Sequence, residues 1–465
     1  MSIKKIAILA LGPIGSALFS FITLPFIAWF FTSEDVGRFN MLQVFLGLTV
    51  SIFSLQMHQS YVREYYEEDD KEMLLKLTML PGFFLLIIVV FLIFLLPFSI
   101  SKILFDIESS EINLLLILLA ICSLFINSFI HVIRMNGQEW FFAISQLFPK
   151  IILFILLGVV VLYNYNYDFF ILININTITL IVSTILLAYL SKINWKNFKS
   201  NKIDFLLLNK IYKFSFPLIA GGIAYWGITY IDRFFLKNYS GLNELGIYSI
   251  ASTFAAIITV FTTVFTVIWH PLVYKWLKEG IEPKKIQDVM NILFILIIFI
   301  WSIFGLFSWI IPIFLPKNYE LVEYIILGCI AGPLFYLLSE VTMVGIGISR
   351  RSYFALIASL IAFLVSIILN YFLVPYFGAI GASIAIMISF YIFFIIRTES
   401  TIYLWHNLNR TWIYIMFFLY ILNTIFIQIV KPNSYIYSLT WILLFFVSSS
   451  PYYKKILIII KYRRI

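Results

Sequence analysis

The chain has 465 residues, of which 62% are hydrophobic and 12% are charged, whereas soluble globular domains carry about 25% charged residues. A soluble fold cannot bury this much apolar surface and still keep a polar exterior, so the composition predicts an integral membrane protein. We therefore attribute the formal net charge of +9 to the orientation of the protein in the membrane, and we expect no nucleic-acid partner.

Hydrophobic runs long enough to cross a bilayer recur along the whole chain. A bilayer core needs about 20 apolar residues per helix. By this measure the sequence predicts fourteen spans, at residues 6–31, 39–60, 74–98, 112–132, 140–163, 169–190, 214–236, 245–270, 288–311, 321–346, 353–374, 378–397, 411–430 and 435–451. The runs lack the alternation of membrane β-strands. The predicted fold class is therefore an all-α integral membrane protein with about 14 transmembrane helices.

Lysine and arginine are distributed unevenly between alternate loops. With the N-terminus inside, 25 of the 32 basic residues fall on the inner side or at the inner ends of spans, 6 fall on the outer side or at the outer ends, and only Lys150 lies deep within a span. Because positive residues concentrate on the cytoplasmic side of membrane proteins, the bias predicts that both chain ends are cytoplasmic.

The chain also aligns with itself when it is shifted by 209 residues. "EDVGRFN" at 34–40 then falls on "NELGIYS" at 243–249. Internal repeats are a common ground plan of transporters, and the longest polar connection separates the two halves. The sequence therefore predicts two pseudo-symmetric six-helix bundles and a C-terminal helix pair. The expected boundaries are a first bundle at 1–190, a basic cytoplasmic linker at 191–213, a second bundle at 214–400, and a terminal helix pair with a basic tail at 401–465.

Several short stretches carry a family resemblance. They are "DRFFLKNYSGLNELGIYSIAS" at 232–252, "LNYFLVPYFGAIGASIA" at 369–385, "YVREYYEED" at 61–69 and "HPLVYKW" at 270–276. Together they resemble the bacterial polysaccharide flippases, a branch of the multidrug/oligosaccharidyl-lipid/polysaccharide exporter superfamily. The resemblance implies a multi-pass protein of the bacterial cytoplasmic (inner) membrane. The implied partners are the bilayer, an undecaprenyl-diphosphate-linked oligosaccharide and other polysaccharide assembly membrane proteins.

Polar residues follow one face of several predicted helices. In the second span they are Gln43, Gly47, Ser51, Ser54 and His58, and in the fourth Ser123, Asn127, His131 and Arg134. Such faces turn away from lipid, toward protein or water. Isolated hydroxyls are more typical of helix packing, whereas several long stripes in the first bundle favour a hydrated cavity.

The candidate substrate-binding residues are the cations and polar groups of that cavity. They are Lys150, Arg63, Arg134, His58, Asn127, His131 and Gln146. Lys150 lies deep in the fifth span, where a cation is costly to insert, and Gln146 shares its helical face. Arg63 and Arg134 end the second and fourth spans, either as positive-inside anchors or as the first groups to meet a diphosphate.

A second set is predicted to act in gating or coupling. Asp232 and Arg233 are expected at the outer end of the seventh span, where their charges stay solvated, either as an interfacial anchor or as an external gate. Glu340 is deep in the tenth span, as a cation or proton site or as the partner of a basic residue elsewhere. His270 ends the eighth span.

The leading functional hypothesis is a flippase for lipid-linked oligosaccharides that works by alternating access in surface polysaccharide (O-antigen or capsule) synthesis. The alternatives are a cation-coupled multidrug antiporter, a lipid II flippase, and a polysaccharide polymerase or ligase. The last is disfavoured because no loop reaches domain size. We expect no catalytic activity, no cofactor and no metal site, with Na⁺ or H⁺ as the possible coupling ion.

Overall fold

The computed structural model describes residues 3–95, 99–163, 167–200, 203–279, 284–349 and 351–452. Within these ranges all regular secondary structure is helical. Twelve helices of the described part of the chain are long and apolar enough to cross a membrane. The predicted all-α membrane fold is confirmed.

The chain divides into two compact units, Met1–Tyr230 and Ile231–Ile465. The helices of the first unit are α1 (Ile3–Phe30), α2 (Ser33–Phe53), α3 (Met57–Glu64), α4 (Lys71–Leu95), α5 (Ile100–Phe105), α6 (Ser110–Met135), α7 (Glu139–Leu162), α8 (Phe169–Leu190), α9 (Trp195–Ser200) and most of α10 (Phe205–Tyr239). The bundle boundaries expected from the sequence remain predictions.

The second unit begins within α10. Its other helices are α11 (Gly241–Lys278), α12 (Lys284–Phe307), α13 (Val322–Cys329), α14 (Ala331–Thr342), α15 (Val344–Ile348), α16 (Tyr353–Leu404), α17 (Thr411–Val430) and α18 (Ser434–Ser449). A short 3-10 segment, Ser308–Phe314, follows α12. α16 has 52 residues, about 78 Å at 1.5 Å per residue, so its two halves each match one span.

Gly378 divides α16 into these halves. Its φ of 52° and ψ of −130° are not helical, and only glycine adopts this combination readily. Glu244 of α11 then caps the second half, since its Oε2 accepts a hydrogen bond of 2.9 Å from the backbone N–H of Ala379. A carboxylate at a helix N-terminus satisfies an otherwise unpaired donor and complements the helix dipole.

We expect Gly378→Ala to lower the free energy of unfolding by about 1–3 kcal/mol, the usual cost of a strained backbone. The added Cβ would also lie 2.7 Å from Oε2 of Glu244. The matched control is Gly158→Ala in α7, where no atom lies within 4 Å of the new Cβ and helix propensity favours alanine by about 1 kcal/mol. Thermal unfolding of both purified variants in detergent measures the difference. Equal unfolding temperatures would contradict the assignment of strain to Gly378.

The 209-residue repeat is visible in the helix ends. α1 ends at Phe30 and α10 at Tyr239, and α8 begins at Phe169 where α16 breaks at Gly378. Each of these pairs is separated by 209 residues. The same order of long helices thus recurs in both halves of the chain, as duplication predicts.

Candidate functional site

The second predicted span is interrupted. α2 ends at Phe53 and α3 begins at Met57, while the connecting Leu55 and Gln56 have φ of 48° and 52°. Left-handed backbone costs a non-glycine residue about 1–2 kcal/mol, so tertiary contacts must hold the break. Gly82 of α4 allows one of them, because a Cβ there would lie 1.9 Å from the carbonyl oxygen of Phe53. The predicted continuous helix through this span is wrong.

A pocket lies beside the break, among α2, α3, α4 and α6 of the first unit. Its empty volume of about 410 Å³ includes open solvent. The polar residues of its lining are Ser54, His58, Tyr61, Thr78, Asn127, Ser128 and His131. The structure therefore brings three predicted binding residues together: His58, Asn127 and His131. The hydroxyls of Tyr61, Thr78 and Ser128 were missed, since single hydroxyls in apolar runs are typical of helix packing.

The two histidines of this pocket stack on each other. Their ring centres are 4.6 Å apart and their planes are inclined by 21°. Neither Nδ1 atom has a hydrogen-bond partner within the described ranges. A neutral imidazole offers one donor and one acceptor nitrogen. The pair is therefore suited to hydrogen bonding with the hydroxyl groups of a ligand.

An arginine follows each histidine along its helix. Arg63 comes five residues after His58 and Arg134 three residues after His131, about 8 Å and 5 Å along the helix axis. Arg63 has a 53% exposed side chain and lies 4.4 Å above the ring of Phe214. Arg134 is also exposed. The C-terminal ends of α3 and α6 thus carry accessible cations that are close in sequence to His58 and His131.

Lys150 and Gln146 lie on α7, outside the lining of this pocket. α7 packs along α1: a Cβ at Gly12 would lie 3.3 Å from Cδ of Gln146, and the rings of Phe19 and Phe154 are 6.3 Å apart. Lys150, one turn from both Gln146 and Phe154, is half-buried. In the part of the chain that the structure describes, it has no hydrogen bond or ion pair. It is an uncompensated cation within a spanning helix.

Asp232 and Arg233 are buried, with 0% and 7% of their surface exposed, so the expectation that their charges stay solvated is wrong. Arg233 donates from Nη1 to Oδ1 of Asp232 at 2.8 Å and from Nη2 to Oγ of Ser252 at 3.3 Å. The hydroxyl of Tyr248 donates to the other carboxylate oxygen. Burial is tolerated because each charge is paired and hydrogen-bonded by α11.

Glu340 lies in a second buried ion cluster of the same unit. Nη1 of Arg397 is 2.7 Å from its Oε1, and Nε2 of His270 is 3.3 Å from its Oε2. Arg397 also bonds Oγ of Ser339 at 3.1 Å and lies 4.2 Å above the ring of Phe393. The structure thus supports the second interpretation of Glu340, in which it is the partner of a basic residue. Arg397, the last residue of the predicted span 378–397, was counted among the inner basic residues, whereas it lies buried within α16.

The predicted residues thus fall into four places. One is the pocket with the paired histidines, with Arg63 and Arg134 on the same helices as those histidines; one is the α7 stripe with Lys150, and two are the ion clusters of the second unit. In the described ranges no group of three or more His, Cys, Asp or Glu side chains is placed to hold a metal ion.

Comparison with known proteins gives relatives of this architecture. A curated membrane protein of Haemophilus influenzae, described there as uncharacterized, is 23% identical over 334 residues, which are 70% of this chain and 78% of the relative. The solved structure of the lipid II flippase MurJ in an inward closed conformation matches with a TM-score of 0.68 at 18% identity, over 98% of this chain and 100% of MurJ. An inward-facing MATE multidrug transporter of the MOP superfamily matches with a TM-score of 0.58 at 16% identity, over 86% and 94%.

At these identities the solved structures establish the fold, which is that of flippases and exporters. The sequence profile of the family described as "Polysaccharide biosynthesis protein" matches residues 2–276, more than half of the chain. This protein therefore belongs to the family described as polysaccharide biosynthesis protein.

Proposed function

We propose that this protein flips undecaprenyl-diphosphate-linked oligosaccharide repeat units from the cytoplasmic to the outer leaflet of the bacterial inner membrane, for O-antigen or capsule synthesis. The observation that carries the proposal is the polar pocket of the first unit. Its histidine, amide and hydroxyl groups lie among helices apolar enough to cross a bilayer. A polar lining is expensive there unless a polar ligand or water uses it.

The headgroup of such a lipid has two chemical demands. Its diphosphate carries two or more negative charges, which Lys150, Arg63 and Arg134 offset; arginine does so with paired hydrogen bonds. Its sugars present hydroxyl groups, which His58, Asn127 and His131 bind. Gln146 hydrogen-bonds the sugars that lie beside Lys150. The long apolar tail stays in the bilayer. No covalent bond is made or broken, so the proposal requires no catalytic residue.

Alternating access requires an energy source and a gate. We assign coupling by Na⁺ or H⁺ to Glu340 and His270, a pair that combines a buried carboxylate with a half-exposed imidazole. We assign the gate to Asp232 and Arg233, whose buried pair joins α10 to α11. Cytoplasmic chain ends and association with other polysaccharide assembly proteins are further parts of the proposal.

A lipid II flippase is the second candidate, because the likeness to MurJ extends over nearly the whole chain. Fold alone does not decide between two lipid-linked sugars, since one fold hosts many functions. A multidrug antiporter is less favoured. An organic cation is much bulkier than Na⁺ or H⁺ and needs an open carboxylate within the membrane, whereas Arg397 at 2.7 Å and His270 at 3.3 Å already occupy the two oxygens of Glu340.

Reconstitution into liposomes tests the proposal. Three fluorescent cargoes are compared: an undecaprenyl-diphosphate-linked oligosaccharide, lipid II and a lipophilic organic cation. The proposal expects protein-dependent loss of the oligosaccharide lipid from the outer leaflet, measured by quenching with an impermeant reductant, at least 10-fold faster than in empty liposomes. Faster movement of lipid II would favour the second candidate. Movement of the cation alone, driven by a Na⁺ or H⁺ gradient, would replace both with an antiporter.

A further inference from the structure

A separate pocket lies in the second unit, away from every residue assigned above. Its empty volume of about 600 Å³ includes open solvent, and its lining residues are Trp309, Glu323, Tyr324, Pro432, Tyr437 and Ser438. They come from the 3-10 segment after α12, the start of α13, and the connection from α17 into α18. The distribution of basic residues predicts that both connections, α12 to α13 and α17 to α18, lie on the outer side of the membrane.

The pocket combines flat aromatic faces with unused polar groups. The side chain of Trp309 is 52% exposed. The ring of Tyr437 is held in place because its hydroxyl is 2.6 Å from Oγ of Ser308. Glu323 is half-buried, and among the described residues its carboxylate has no hydrogen bond or ion pair. A carboxylate withdrawn from water without a partner costs free energy that a ligand would recover.

Lys431 determines which class of ligand fits. Its ammonium group lies 5.4 Å above the ring of Tyr324, so one aromatic face already has a cation beside it. A second organic cation would be repelled there. A ring with many hydroxyl groups is suited to the site, because it can donate to Glu323 and lay its apolar C–H face on Trp309.

We propose that this pocket binds a pyranose ring of a glycan on the outer side of the membrane. Tryptophan and tyrosine also gather at membrane interfaces without binding anything, but an interfacial belt does not need an unpaired, half-buried carboxylate in a cavity. The inference rests on the proposed function for the source of the glycan, which is the headgroup after it has crossed. The pocket would retain it until a later enzyme takes it.

Saturation-transfer NMR on the purified protein in detergent tests the pocket without transport. The probes are the methyl pyranosides of glucose, galactose, mannose, rhamnose and N-acetylglucosamine, each at about 10 mM. We expect transfer to the ring protons of at least one of them. Trp309→Ala and Glu323→Gln should each reduce that transfer at least 5-fold. The matched control, Trp29→Ala, removes a 57% exposed tryptophan from the predicted outer end of α1 and should leave it unchanged.

Two results would overturn the inference: no transfer to any pyranoside, or transfer that both pocket variants preserve. Tetramethylammonium is tested alongside, and transfer to it that depends on Trp309 would make the pocket a cation site instead. The experiments can reject the pocket hypothesis and the proposed function independently of each other. Sugar binding that depends on Trp309, in a protein that moves no oligosaccharide lipid in liposomes, retains the pocket and rejects the flippase.

Discussion

Replacing Lys150 with methionine or alanine is expected to abolish transport of the lipid-linked oligosaccharide without harming the fold. Lys150 is half-buried in a spanning helix and has no partner among the described residues. Placing a lysine at a helix centre costs about 2.5–3.5 kcal/mol on insertion scales. Removing it should therefore leave the unfolding temperature unchanged or raise it. A lysine engaged in a structural ion pair would give the opposite result.

The size of the transport defect follows from the charge of the cargo. At 4 Å and an effective dielectric constant of about 20, one pair of unit charges is worth about 4 kcal/mol, and water in the cavity reduces this. We expect the initial rate of flipping in liposomes to fall by about 10-fold to 10³-fold, and surface glycan in cells to be lost.

Three variants separate charge from shape. Lys150→Met keeps the length of the side chain without its charge and should be inactive, whereas Lys150→Arg keeps the charge and should retain activity. Lys196→Met is the matched control, since it removes an exposed lysine of α9 in the predicted linker, and we expect full activity. Normal glycan output from Lys150→Met at wild-type abundance would exclude Lys150 from the substrate site.

Much of the fold was predictable from the sequence because bilayers impose strong local rules. Each span needs a long apolar run, and basic residues mark its inner end. Both rules apply to each segment of the sequence separately, without information from the rest of the chain. The repeat added long-range information. Phe30 and Tyr239, which end α1 and α10, are 209 residues apart, the same shift that aligns the two repeated motifs.

The break at Leu55 and Gln56 was not predictable from its own segment. Neither residue is glycine or proline, so no local signal ends the helix. The determinant lies elsewhere in the chain, where Gly82 allows a backbone approach that any side chain would block. The pocket lies beside that break. The regular spacing of polar residues assigned His58 to the same helix as Gln43, whereas it belongs to α3. The spacing nevertheless identified His58 as a candidate binding residue.

The buried charges were misplaced for a related reason. Asp232 and Arg233 come at the end of an apolar run, as interfacial anchors do, but their partner Tyr248 comes from the next helix. Arg397 also follows an apolar run and fits the positive-inside pattern. Its burial depends on Glu340, 57 residues earlier in the chain. Single-segment patterns locate charges along a helix but do not identify their partners.

Removing Glu340 is expected to give the largest loss of stability. In Glu340→Ala the guanidinium group of Arg397, only 6% exposed, would be left without its carboxylate. Breaking a buried ion pair from one side typically costs about 3–5 kcal/mol, because an uncompensated charge remains. His270 also loses its acceptor, but its side chain is 42% exposed, so water replaces most of that interaction. We expect a large fall in unfolding temperature in detergent and low abundance in membranes.

A double-mutant cycle decides whether the uncompensated charge is the cause. Glu340→Leu combined with Arg397→Met removes both charges and should recover most of the stability that either single change loses, since apolar replacement of a buried pair is often neutral. The matched control is Glu399→Ala, which breaks a more exposed pair with Arg410 at 2.7 Å, where the side chains are 42% and 28% exposed. Exposed pairs contribute about 0–1 kcal/mol, and this one should lie at the upper end of that range because it is bidentate. A double variant as unstable as the sum of its singles would show that packing, rather than charge, is what Glu340 and Arg397 provide.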